Sequence, residues 1–146
     1  MFKHILLPTD GSALAMKAVQ AGIALAKEMG ASVTGYYAIE PAPHHLTEGY
    51  VRGERLADEL ERRSQDIARR SMDEVNAAAR AAGVPCDIVI SETLSAYQGI
   101  IQTASRMKCD AVFMASHGER GLASLLIGSV THKVLAHSKI PVLVFR

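Results

Sequence analysis

Four groups of residues have the types and spacing to do chemistry. Asp10 follows Pro8 and Thr9 at the end of a short apolar run. A carboxylate there can accept hydrogen bonds from a ribose or an adenine, or help hold a metal bound to phosphates. Gly118 and Gly121 follow a second apolar run, Ala111 to Ala115, and glycine lets the backbone approach an anion closely. Gly128 and Ser129 open a helix-like stretch, whose first turn offers unpaired N–H groups and the positive end of the helix dipole. Ser116 and His117, taken with Asp10, have the residue types of a hydrolase triad. Strand, glycine loop, helix start and strand together make a nucleotide the first ligand to consider.

Each group also has a plainer use. Asp10 alone reads as an Asx turn or a cap, with Ser12 sharing the work. With the glycine loop at the same sheet edge, the ligand role prevails. Turn chemistry and an N-cap would account for the glycines, and neither standard phosphate signature is present: no Lys follows Gly128, and no G-x-G-x-x-G follows the first run. The hydrolase reading is disfavoured, because neighbours such as Ser116 and His117 seldom turn their side chains on each other and the G-x-S-x-G elbow is missing. His132 and His137 are five apart, whereas a spacing of four aligns two imidazoles on a helix. These two, His117 and the pair His44-His45 therefore read as surface histidines. No metal site and no catalytic residue is assigned.

The elements that must position these residues follow from periodicity. Phe2 to Leu7 predicts a strand, and Ser12 a cap for a helix with Leu14, Ala18, Ile23 and Ala26 on one face, ending at Gly30. Ser32 to Ile39 predicts the second strand, Pro41 to Gly53 a loop, and Glu54 to Ala82 a helix with Leu60, Ile67, Val75 and Ala82 marking its face. Asp87 to Ser91, a helix over Ala96 to Met107 with Ile100, Ile101 and Ala104 inward, Ala111 to Ala115, the Gly128 helix and Pro141 to Phe145 complete the series. Five strands alternating with four helices predict an α/β fold: a doubly wound, five-stranded parallel sheet with helices on both faces. Ligands bind such sheets beyond the carboxyl ends of the strands, at the switch point. That rule selects Pro8, Thr9 and Asp10, then Ala38, Ile39 and Glu40, and Ala115 to Gly118.

Composition narrows the partners. Residues 1–146 fit one domain. With 16 basic and 15 acidic residues the net charge is +1, so neither a nucleic acid nor an anionic membrane surface is implied. No run reaches the ~18 apolar residues that span a bilayer, and MFKHILLPTD does not read as a signal peptide. Cys86 and Cys109 are expected as buried, reduced thiols at the starts of strands, in a cytoplasmic protein.

HILLPTDGS, YYAIE, the acidic-basic helix ending in AAGV and, above all, SHGERGLASLLIGSVTHKVLAHSKIPVLVFR give the chain a resemblance to the universal stress protein family over nearly its whole length. Nucleotide-binding members carry G-x2-G-x9-G-[ST]. Here Ala115 stands at the first position, Gly118 at the second, Glu119 to Ile127 form the spacer, and Gly128-Ser129 close the motif. The resemblance implies an adenine nucleotide, ATP or AMP, with Mg²⁺ as an optional companion. It places Asp10 and the backbone of Ala38 at adenine and ribose, and Gly118, Gly128, Ser129 and Val130 at the phosphates; Pro8, Thr9, Met114, Ala115 and His117 complete the expected binding residues. The methyl of Ala115 is expected to crowd the sugar. Glu119 would repel a triphosphate and Arg120 would offset it. The family's habit implies a homodimer through Pro141 to Phe145 and a regulatory role in stress response. A slow ATPase using His117 and Arg120, and a ligand-free structural dimer, are the alternatives.

Overall fold

The computed structural model describes residues 1–41, 50–118 and 126–146, with backbone alone for 50–53. The chain runs β1 (His4–Pro8), α1 (Ala13–Met29), β2 (Ser32–Ile39), α2 (Tyr50–Ala82), β3 (Cys86–Glu92), α3 (Ala96–Arg106), β4 (Ala111–Ala115), α4 (Ser129–His137) and β5 (Val142–Phe145). The strands form one parallel sheet in the order β3-β2-β1-β4-β5. After β3 the chain returns to the other side of β1, so the switch point lies between β1 and β4.

Central strands carry apolar side chains on both faces because both are covered. Ile5, Leu7 and Val33 pack with Val19, Ile23 and Ala26 of α1 and with Met72, Val75 and Ala79 of α2. On the opposite face Leu6, Tyr36, Val112 and Met114 pack with Ile100 and Ala104 of α3 and Val134 of α4. Leu6, Val19, Val33 and Val75 have no exposed surface, and each burial of this kind contributes about 1.5–3 kcal/mol.

Local chemistry sets the ends. Ser12 caps α1 by accepting from Ala15 N–H at 3.3 Å, and Gly30 closes it in the left-handed conformation at φ 65°. Three expectations need correction. Residues 50–53, read as loop, belong to α2, and the rest of that loop apart from Pro41 lies outside the described residues. The buried stripe of α2 runs Ala68, Ser71, Met72, Val75 and Ala79, so Ile67 stands 49% exposed. Cys109 is buried as expected, but Cys86 is only half-buried, because β3 is an edge strand.

One backbone feature shapes the switch point. β1 pairs with β4 only through Ile5↔Ala111 and Leu6↔Val112, while β4 stays paired with β5 up to Ala115↔Phe145. The His4 carbonyl faces β4, accepting from Asp110 N–H at 2.9 Å, and the Thr9 N–H faces β2, donating to the Tyr36 carbonyl at 2.9 Å. Backbone groups alternate in direction along a strand, so the nitrogen of Pro8 falls on the β4 side, where it has no hydrogen to donate. The ladder stops there and a crevice opens.

Candidate functional site

The crevice is lined from both strands. Beyond Pro8, Thr9 is buried and its hydroxyl accepts from Gly11 N–H at 3.1 Å; Gly11 turns at φ 81°. Asp10 is exposed, and its Oδ1 accepts from Ser12 N–H at 3.0 Å. The Asx turn is therefore real. The Tyr37 hydroxyl donates to the Asp10 carbonyl at 3.5 Å.

From the β4 side, Gly118 lies directly against this carboxylate. A Cβ at 118 would collide with Asp10 Oδ2, so any other residue there must displace the carboxylate. Gly128 has ordinary dihedrals, φ −60° and ψ 154°, and its need for glycine is spatial. A Cβ there would sit 3.1 Å from His117 Cα and 3.4 Å from the Ser116 carbonyl oxygen. Gly128 N–H donates to that carbonyl at 2.7 Å, and the buried Thr131 hydroxyl donates to the Ala115 carbonyl at 2.9 Å. The start of α4 is thus bolted to the end of β4. Among the described residues no side chain caps this helix at Gly128, and the first turn of a helix has amides that can serve an anion.

The remaining expected residues take varied positions. Ser129 is exposed, while Ala38 and Val130 are half-buried at the edge of the cluster that holds Leu6, Tyr36 and Met114. Met114 itself is 6% exposed, its side chain in that core. The Ala115 methyl packs with Ala15 and Ala18 of α1, beside Phe145. Glu119, Arg120 and Gly121 lie outside the described residues.

One expectation about side chains is overturned. Ser116 and His117 do turn on each other, with Oγ and Nδ1 3.0 Å apart. Ser116 is anchored by its own N–H, which donates to the Phe145 carbonyl at 2.7 Å. With the backbone fixed by β5 and α4, the two side chains fall on one side. Sequence reading also passed over Thr131, whose place two residues after Ser129 in a helix start was the available signal.

Elsewhere ionisable groups serve the fold. Burial tends to raise Asp110, but the backbone N–H groups of Lys3 and His4, at 2.8 and 3.1 Å, outweigh it and hold the carboxyl below its ordinary 3.8. Burial pushes the Cys109 thiol up to about 11, against a hydrogen bond with Thr34. Two clefts of about 320 Å³ open away from the crevice, one along α2 at Asp58 and Arg62, one between β3 and α3 at Glu92 and Arg106. Neither brings glycines and free amides together. Among the described residues no helix is long and apolar enough to cross a membrane.

Comparisons with known proteins agree on one family. The universal stress protein family profile matches residues 1–146. A universal stress protein of Thermus aquaticus, from the QAH/OAS sulfhydrylase 3' region, is 35% identical over 147 residues, covering all of both chains. Among solved structures, the hypothetical protein MJ0577 superimposes with a TM-score of 0.81 at 27% identity, covering 99% of this chain and 95% of that one. A universal stress protein in complex with cAMP gives a TM-score of 0.72 at 22% identity, covering 99% and 97%.

Proposed function

This chain belongs to the universal stress protein family, and on that premise we propose that it binds an adenine nucleotide, ATP or AMP, in the crevice between β1 and β4. The observation that carries the reading is the cradle in which Gly118 admits the Asp10 carboxylate and Gly128 opens an uncapped helix. In this reading Pro8, Thr9, Asp10 and the Ala38 backbone hold adenine and ribose. Gly118, Ser129 and Val130 hold the phosphates by backbone N–H groups and the Ser129 hydroxyl, and Gly128, whose own N–H is held by the Ser116 carbonyl, gives them room. Met114 and Ala115 form the strand end beneath, and His117 stands beside the phosphates. Among the described residues no three His, Cys, Asp or Glu side chains gather as a ready cation site, so the reading assigns Mg²⁺ to the phosphates themselves. The cAMP complex supports the ligand class, as a relative of the same fold with an adenine nucleotide bound.

Asp10 is already engaged by Ser12 through one oxygen, which orients the carboxylate before a ligand arrives and lowers the ordering cost of binding. Regulation of a stress response as a cytoplasmic homodimer completes the proposal, with β5 as the pairing strand. Native mass spectrometry of freshly purified protein, followed by calorimetry with ATP and Mg²⁺ and with AMP, tests it. Expected are a co-purifying adenine nucleotide and a measurable heat of binding. Absence of both would end the proposal.

A further inference from the structure

The nucleotide reading leaves Ser116 without a task, although it is buried and held from two sides at the crevice. It is 3% exposed. Its N–H donates to the Phe145 carbonyl and its carbonyl accepts from Gly128 N–H, each at 2.7 Å, so β5 and α4 both pin it. Its hydroxyl lies 3.0 Å from His117 Nδ1. We propose that Ser116 is a positioning residue: it sets the tautomer of His117, so that the imidazole offers an Nε2–H donor to a phosphate of the bound nucleotide.

The tautomer follows from counting hydrogens. A serine hydroxyl has one hydrogen to give, and each ring nitrogen of a neutral imidazole is either a donor or an acceptor. Suppose Nδ1 carried the hydrogen. It would donate to Oγ, and the hydroxyl hydrogen of this buried serine would need another acceptor, which the described residues do not provide. A buried donor left unmade is costly. With the hydroxyl donating to Nδ1, both groups are satisfied and the ring hydrogen resides on Nε2. The bond made by one ring nitrogen thereby decides what the other presents.

Position gives the donor its use. The His117 backbone lies against Gly128, 3.1 Å from where a Cβ would stand, at the uncapped start of α4. An anion in that place meets backbone N–H groups, and an Nε2–H adds to them. The other tautomer would turn a lone pair toward the same anion. This role rests on the nucleotide reading, whereas the tautomer itself does not.

The test separates the two. Nitrogen-15 NMR of the full chain without ligand, at about pH 9 where an ordinary imidazole is neutral, reads the ring of His117, assigned by the signals lost in His117→Gln. Expected are a bare Nδ1 and a protonated Nε2. Ser116→Ala should give mixed tautomers and weaken ATP binding roughly threefold to tenfold, the range one hydrogen bond supports. Ser116→Thr, which keeps the hydroxyl, should restore both. A dominant Nδ1–H in the unmutated protein, or an unchanged ring in Ser116→Ala, overturns the inference. If Ser116→Ala does not fold, the ring of the unmutated protein decides alone. Should the tautomer be as stated while neither ATP nor AMP binds, the nucleotide reading and the donor role fall together and the tautomer stands.

Discussion

Gly118 is where the proposed ligand site meets the packing, since any side chain there must displace the Asp10 carboxylate. Gly118→Val is expected to lower ATP affinity at least tenfold by calorimetry while the circular dichroism spectrum stays unchanged. Unchanged affinity would put the phosphate site elsewhere. Ala115 leads to a different expectation. It holds the first position of the family's glycine motif, but its methyl packs with Ala15 and Ala18. Ala115→Gly should therefore leave affinity within about twofold and cost about 1 kcal/mol of stability in urea unfolding, from one lost buried methyl and the added freedom of glycine. A large gain in affinity would mean that the methyl does face the sugar. At Cys109, burial keeps the thiol protonated near neutrality, with its pKa raised to about 11. Alkylation at pH 8 should be slow in the native protein and fast after denaturation; rapid native labelling would contradict the packing around Thr34.

Among the elements, the β1–β4 pair has a pH-sensitive tie. Asp110 joins the starts of both strands, and its carboxyl is held below 3.8 by the Lys3 and His4 N–H groups. A depressed folded-state pKa stabilises above the unfolded value and is lost as pH falls through the folded one. Asp110→Asn should thus lower the thermal midpoint at neutral pH, and the deficit should shrink as the pH falls below about 4. A pH-independent deficit would make the residue a packing group only. α2 is tested through Met72, which is 2% exposed; Met72→Ala should cost about 2–5 kcal/mol in chemical unfolding. This helix also marks where the sequence was hard to read. The strands were legible because burial on both faces makes them nearly continuous in apolar residues, as in Ala111 to Ala115, and α1 because Ser12 and Gly30 mark its ends. The inner stripe of α2 mixes Met72 and Val75 with Ala68, Ser71 and Ala79, which carry little hydrophobic signal; Val75 and Ala82 of the expected face do meet the core, but the larger Ile67 is exposed. At the crevice, Gly118 and Gly128 were legible from motif spacing. The Ser116–His117 contact and the missing donor of Pro8 were not, because both depend on register and on which side of a strand each group faces.

Across the whole molecule, the strand order leaves two edges, β3 and β5, and they differ in how they meet solvent. β3 carries exposed Asp87 and Glu92 at or near its ends, the kind of charge that discourages edge pairing. Every residue of β5 from Val142 to Phe145 is apolar and half-buried, with one side paired to β4 through Val112↔Val142 to Ala115↔Phe145. An apolar edge of that kind is a pairing template, and a second copy of the same strand would satisfy its backbone groups with two-fold symmetry. The same Phe145 carbonyl that closes β5 also holds Ser116, so a dimer built there would abut the crevice proposed for the nucleotide. Val144→Glu should shift the protein toward a species near 15.7 kDa by light scattering, from about twice that mass. Ile90→Glu, on the 37%-exposed face of β3, should leave the mass unchanged. The reverse pattern would make β3 the interface, and two unaltered masses would place it on neither edge.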